Sequence, residues 1–264
     1  MSKLETDPYK GVQDFYPEDM VIQNYLFNTW RKVVESKGYV EYSASLLEPT
    51  ELYAEKSGAE IVNEQTFTFI DRGERSVTLR PEMTPTLARM VATRRKSLKY
   101  PLRWYSIPNL FRYERPQKGR RREHWQLNVD ILGVAGIEAE IEIITLADTI
   151  MQTFGAKRED YEIRMHTMAG SNEDLEQVMQ KLRDSGIINI KVDYSFKRGQ
   201  AYYTGVVFEF YDTNPENPRS ILGGGRYDNL MELFDVEKLP AVGFGAGDVT
   251  MKDFLETHGL PTHA

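Results

Sequence analysis

Phe111-Arg-Tyr-Glu-Arg-Pro-Gln-Lys-Gly-Arg-Arg-Arg-Glu-His-Trp-Gln-Leu-Asn-Val-Asp130 joins two patterned segments through a turn. After the turn the residues alternate. Trp125, Leu127, Val129 and Ile131 point one way, and His124, Gln126, Asn128 and Asp130 point the other. The apolar row suits a core, so the polar row is expected to face a cleft. The competing reading is a wet sheet face, which antiparallel sheets tolerate. Before the turn, Leu110, Arg112 and Glu114 share one side, and Phe111 and Tyr113 take the other. Segments 104–114 and 124–133 therefore predict an antiparallel hairpin. Pro116 and Gly119 mark a long, mobile loop between them.

Arg112, Arg115, Lys118, Arg120, Arg121 and Arg122 crowd this hairpin, opposed only by Glu114, in a chain whose net charge is −7. Basic charge concentrated inside an acidic protein points to a specific anionic ligand more than to a general polyanion groove. A solvated charged loop is the alternative. An arginine held on a strand presents its planar fork for bidentate contact. Phosphoryl and acyl-phosphate chemistry needs such cations where negative charge develops.

Working outward, Glu18 to Lys37 has Ile22, Tyr25, Leu26, Trp30, Val33 and Val34 at helical spacing, with Gly38 as a stop. Thr84-Pro85 reads as an N-cap and first-turn proline opening a helix through Leu87, Met90 and Val91. Ile137 to Phe154 predicts another helix, ended by Gly155, and Ser171 can cap a further one through Leu175, Val178, Met179 and Leu182 before Gly186. Ile188, Ile190, Val192 and Tyr194 alternate with polar residues as in a strand, and Gly205–Tyr211 and Ala241–Gly245 are further strand candidates. Helices and hairpins are interspersed without regular βαβ alternation. The expected class is α+β on a mostly antiparallel sheet flanked by helices.

The chain has 264 residues, of which 41% are hydrophobic and 28% charged, as in an ordinary globular protein. No apolar run approaches the roughly 18–20 residues of a membrane span, and the N-terminus lacks a signal-peptide core. The absence of cysteine excludes disulfides, thiolate metal sites and thiol catalysis. A cytoplasmic protein that avoids membranes is the expectation.

The quoted stretch resembles motif 2 of class II aminoacyl-tRNA synthetases in its histidyl-tRNA synthetase form. Thr78-Leu-Arg-Pro-Glu-Met-Thr84 resembles that family's amino-acid-binding segment. Arg198-Gly-Gln-Ala-Tyr-Tyr-Thr-Gly205 and Gly224-Gly-Arg-Tyr-Asp228 resemble its two histidine motifs, and Pro240-Ala-Val-Gly-Phe-Gly-Ala-Gly247 resembles motif 3. The matches follow family order and cover nearly the whole chain.

The resemblance implies a catalytic domain spanning residues 1–264 that makes histidyl-adenylate from L-histidine and ATP with Mg2+. No residue of the chain is assigned as a metal ligand. Arg112 would hold the α-phosphate, with Glu114, Arg115 and Arg120 near the adenine or outer phosphates and His124 where an aromatic normally covers the base. Glu82, Thr84 and Gln126 would bind the amino group of histidine, Asp130 and Tyr203 would read its imidazole, and Tyr227 would close the pocket. Arg198 would be the catalytic cation at the α-phosphate and carboxylate. A neutral imidazole has one donor and one acceptor nitrogen, which suits a carboxylate and a tyrosine hydroxyl.

The sequence departs from the family pattern at Thr250, where motif 3 carries an arginine, and at Gln200-Ala201, where a Leu-Asp pair is usual. A motif 1 proline expected near Ser45 appears as Pro49. The short connection at 165–172 stands where family members carry an insertion domain, and no anticodon-binding domain follows. A homodimer with weak, if any, attachment to tRNA(His) is expected. The alternative is a non-catalytic histidine-binding protein, like the regulatory subunit of ATP phosphoribosyltransferase, or a paralogue that has become an interaction module.

Overall fold

The computed structural model describes residues 4–54, 65–115, 117–168, 172–195 and 202–263. Its strands are β1 (Val40–Glu41), β2 (Leu47–Pro49), β3 (Phe67–Ile70), β4 (Ser76–Leu79), β5 (Leu102–Ser106), β6 (Asn109–Phe111), β7 (Glu123–Leu132), β8 (Tyr161–Thr167), β9 (Ile190–Val192), β10 (Val206–Asp212), β11 (Ser220–Arg226) and β12 (Ala241–Gly247). The helices are α1 (Pro17–Ser36), α2 (Glu51–Ala54), α3 (Thr84–Arg94), α4 (Glu138–Thr153), α5 (Asn172–Asp184) and α6 (Asp248–Thr257). The large sheet runs β1-β5-β7-β12-β11-β10-β8-β9, with β6 also paired to β7, and a small sheet runs β2-β4-β3. Only the β1–β5 and β8–β9 pairs are parallel among the described strands. This is the expected α+β arrangement.

The helices follow their apolar spacing. Leu26, Trp30, Val33 and Val34 of α1 are buried, and Gly38 stands at φ 82° just beyond the C-cap. In α4, Ile143, Ile144, Ile150 and Met151 are buried, and in α5 Leu175, Val178, Met179 and Leu182 are. These stripes meet Leu127, Val129 and Ile131 of β7 and Phe208 and Phe210 of β10 in the main core. The alternation along β7 is thus borne out, with its apolar row under the helices. A second apolar cluster, around Leu87, Val91, Leu132, Tyr202 and Tyr227, lies elsewhere against the sheet.

Three local expectations need adjustment. The helix cap falls at Met83, so Thr84 is already helical and Pro85 lies in the first turn. The strand expected across 188–194 is confined to Ile190–Val192, and Ile188, Val192 and Tyr194 are exposed. It is an edge strand on β8, and of its residues only Ile190 reaches the main core. The central strand β11 gave no pattern in the sequence, because Gly223-Gly224-Gly225 has neither β-propensity nor an apolar face. Ser171 lies outside the described residues.

A buried ion pair ties the helical layer to β11. Arg226 donates from Nε and Nη2 to the two carboxylate oxygens of Glu140 on α4, each at 2.6 Å. It also reaches the carbonyls of Val134 and Gly136. A buried pair contributes little net stability against an apolar replacement, yet removing one partner strands the other charge. Glu140→Ala is therefore expected to destabilise the fold by about 3–5 kcal/mol in urea unfolding. Exchanging both residues for methionine should cost much less.

Candidate active site

The hairpin expected around residue 119 is present, with changes that matter for the chemistry. β5 and β6 both pair antiparallel with β7, and the chain breaks step between them at Ile107 and Pro108. Arg112 lies one residue beyond β6 rather than on it. Its backbone N–H still donates to the Arg122 carbonyl at 2.9 Å, so the ladder continues one rung. The connecting loop contains a tight turn of its own, closed by backbone bonds between Gln117 and Arg120.

The arginines of this loop divide by burial. Arg122 is 8% exposed. It stacks on the Tyr113 ring at 3.9 Å and donates to the Glu114 carbonyl, the Tyr9 hydroxyl and the Lys10 carbonyl. It anchors the base of the loop, and the expectation that the whole basic run faces an anion does not extend to it. Arg112 does the opposite. Its Nε donates to the Pro81 carbonyl at 2.9 Å, and among the described residues its two Nη groups have no protein partner. One edge of the guanidinium fixes the side chain and leaves the outer fork for a ligand.

That fork opens on a pocket shared with Glu82, Thr84, Gln126, Asp130, Tyr203 and Tyr227. Every residue expected to touch histidine from the described part of the chain therefore lines one cavity. The polar row of β7 forms one wall. Glu82 and Thr84 come from the start of α3, and the tyrosines from the segments flanking β10 and β11. The floor is β12, where Gly243 pairs with Asp130 and Gly245 with Asn128. A Cβ at Gly243 would stand 2.1 Å from Asp130 Oδ1, and one at Gly245 would stand 2.7 Å from the Gln126 amide. Glycine at these two positions lets the polar side chains lie across the strand.

The electrostatics of the pocket favour neutral, hydrogen-bonded recognition at its inner end. Asp130 is 4% exposed. Burial pushes its carboxyl up to about 7, against the opposing effect of the hydrogen bond donated by the Tyr227 hydroxyl. Burial, with the Asp130 charge beside it, also holds the Tyr227 hydroxyl firmly protonated. Tyr202 donates to Glu82 Oε2 at 2.9 Å, which fixes this carboxylate in the pocket wall. Burial, and then the nearby Arg112 charge, push His124 down to about 3, so its imidazole is neutral at physiological pH.

Glu114, Arg115, Arg120 and His124 do not line this pocket among the described residues. Arg120 Nε pairs with Glu114 at 2.8 Å, and Arg115 is exposed. Two of the residues expected at the nucleotide are thus engaged with each other. Arg198, Gln200 and Ala201 lie outside the described residues. Thr250 donates to the Ile221 carbonyl at 3.1 Å, next to the start of β11.

Tyr202 and Asn128 belong to the site and were not assigned to it from sequence. Asn128 stands in the polar row, which was the available signal, and its amide donates to the Gln126 carbonyl at 3.1 Å. Nothing local distinguishes Tyr202 from Tyr203, because the contact that commits Tyr202 is with Glu82, far away in the chain. Among the described residues no group of three or more His, Asp or Glu gathers as for a metal ion. No described helix is long and apolar enough to cross a membrane.

Comparison with known proteins agrees with this geometry. A family model described as histidyl-tRNA synthetase matches residues 11–164 and 157–248. The histidine–tRNA ligase of Leptospira biflexa is 39% identical over 331 aligned residues, covering 98% of this chain and 76% of that protein. The crystal structure of apo S. aureus histidyl-tRNA synthetase superposes with a TM-score of 0.82 at 29% identity, covering 99% of this chain and 72% of that one. A Bacillus halodurans protein titled ATP phosphoribosyltransferase regulatory subunit/histidyl-tRNA synthetase shares the fold at 20% identity and a TM-score of 0.82, over 95% of this chain and 84% of that one. With its family model matched over most of the sequence and a relative of this identity along nearly all of it, the chain belongs to the histidyl-tRNA synthetase family.

Proposed function

We propose that this chain activates L-histidine with ATP, releasing pyrophosphate and forming histidyl-adenylate. The observation that carries the reading is one pocket in which the Asp130–Tyr227 pair lies at the inner end and the open fork of Arg112 faces the same space. In this reading Asp130 and Tyr203 receive the imidazole, Tyr227 orients Asp130, and Glu82, Thr84 and Gln126 hold the α-ammonium group. A histidine oxygen attacks the α-phosphorus, and the bond from that phosphorus to the bridging oxygen of the β-phosphate breaks as pyrophosphate leaves. The nucleophile belongs to the substrate, so no side chain must be deprotonated. Arg112 and Arg198 stabilise the charge that gathers on the α-phosphoryl oxygens. Mg2+ enters as the counter-ion of the triphosphate. Glu114, Arg115, Arg120 and His124 are read as the nucleotide side, which requires Arg120 and Glu114 to exchange their mutual contact for ATP.

Residues 1–264 are read as a single catalytic domain whose connection at 165–172 replaces an insertion found in relatives. Two observations support this. The family model matches in two segments that meet at 157–164, and the alignment to the Leptospira relative runs over 331 residues where this chain has 264. Transfer to tRNA(His), a cytoplasmic location and a homodimer belong to the same reading. Attachment to tRNA should be weak and salt-sensitive if the basic loop alone meets the nucleic acid.

The test is exchange of labelled pyrophosphate into ATP. We expect exchange that depends on histidine and is not supported by other amino acids. Histidine binding by calorimetry with no exchange would overturn the enzyme reading in favour of a histidine-binding regulatory protein, whose fold is shared by the Bacillus halodurans neighbour. Light scattering should give about twice the chain mass.

A further inference from the structure

Arg219, which the motifs leave unassigned, immediately precedes β11 and meets the turn of the basic loop. Its Nε donates to the Lys118 carbonyl at 3.2 Å. The fit is close: a Cβ at Gly119, which sits at φ 73°, would stand 2.8 Å from Arg219 Cδ. From the other side, Lys118 Nζ donates to the Glu216 carbonyl at 3.4 Å. The loop is therefore strapped across the segment that leads into β11.

This strap gathers like charges. Arg120 and Arg219 are close enough that burial and the Arg120 charge together lower the proton affinity of Arg219. Glu114, whose charge also acts on Arg219, is already paired with Arg120. Asp253 of α6 lies on the same side of Gly119, its Oδ2 3.7 Å from that Cβ position, and is turned to Lys118 and Arg121. Among the described residues the Nη groups of Arg219 have no carboxylate partner. Thr250 of α6, at the same end of β11, is neutral and bound to the Ile221 carbonyl. Crowded cations with this little compensation form a site for a ligand carrying several negative charges.

We propose that Arg219 is a nucleotide-binding residue that contacts the outer phosphates of ATP together with Arg120, clamping the loop over the triphosphate. This rests on the reading of the chain as ATP-dependent. Arg120 would release Glu114 as the phosphates arrive. Arg112 serves the α-phosphate from the hairpin, and Arg219 serves the far end of the triphosphate from the segment that leads into β11.

Calorimetric titration of Mg-ATP and of AMP into the wild type, Arg219→Gln and Arg219→Lys tests this without relying on turnover. ATP affinity should fall about tenfold or more in Arg219→Gln, as for loss of a charge-assisted phosphate contact. AMP affinity should stay within about twofold, because AMP lacks the outer phosphates. Arg219→Lys should recover part of the ATP affinity, and it keeps the test open if the glutamine variant folds poorly. Equal loss for ATP and AMP would make Arg219 a strap that only shapes the loop, and unchanged ATP affinity would remove it from the nucleotide site; either result overturns the proposal alone. A wild type that binds histidine but no ATP overturns the enzyme reading as well.

Discussion

Replacing Arg112 with alanine is expected to lower histidine-dependent pyrophosphate exchange by about a hundred- to a thousandfold, the usual effect of deleting one preplaced group at a developing charge. The expectation comes from how the guanidinium is held. Nε is used up on the Pro81 carbonyl at 2.9 Å, and the outer fork projects into the pocket. The side chain is oriented before the substrate arrives, so no reorganisation is needed when charge builds on the α-phosphoryl oxygens. The loss should appear mainly in kcat, since the contact strengthens as the α-phosphorus becomes crowded. Arg112→Lys should rescue little, because an ammonium cannot bond Pro81 and present a planar fork together. Losing the Pro81 bond should cost only about 1 kcal/mol of stability. An alanine variant that melts normally and exchanges pyrophosphate at the wild-type rate would remove Arg112 from the phosphate site.

Asp130→Asn is expected to divide function from stability. In the proposed reaction the buried carboxyl is the acceptor offered to an imidazole N–H, and its loss should then reduce kcat/KM for histidine by roughly two to four orders of magnitude. The same exchange should stabilise the ligand-free protein at alkaline pH. The folded-state pKa of Asp130 is raised from 3.8 to about 7. The folded protein therefore keeps a proton that the unfolded chain has released. Stability associated with that proton is fully present below the unfolded value and is lost as pH rises from about 4 through 7. Asparagine does not titrate, and its oxygen can still accept from Tyr227. In urea unfolding at pH 8 the variant should gain up to about 3 kcal/mol on the wild type, and most of this gain should vanish near pH 4. A wild type whose stability relative to Asp130→Asn rises between pH 4 and 8 would show that the carboxyl is not buried unpaired with a cation.

Much of this molecule could be read along the chain because periodicity records burial. The polar and apolar rows of β7, the stripe of α1 and the stripes of α4 and α5 all fell where spacing put them. The residues expected at the amino acid were singled out by that patterning together with their motifs, and Glu82, Thr84, Gln126, Asp130, Tyr203 and Tyr227 do share one cavity. The small β2-β4-β3 sheet and the strand β11 were not legible. The strands of the small sheet are only three or four residues long, too short to show a period, and the pairing of β11 depends on close backbone approach: a Cβ at Gly224 would stand 1.8 Å from the Gly243 carbonyl. A glycine run shows no side-chain pattern, so only its neighbours reveal it as a strand.

The roles of the charged side chains divide along the same line. Sequence alone established that basic charge is concentrated at one hairpin and that a polar row flanks it, since both are properties of adjacent residues. It could not tell which arginine was free. The fold turns Arg122 inward onto Tyr9 and Tyr113, ties Arg120 to Glu114, buries Arg226 against Glu140 and, among the described residues, leaves Arg112 and Arg219 with open Nη groups. A guanidinium looks the same in every one of these settings when written as a letter. Its work is decided by the partner it meets, and those partners lie up to about a hundred residues away, where only tertiary packing brings them within hydrogen-bonding distance.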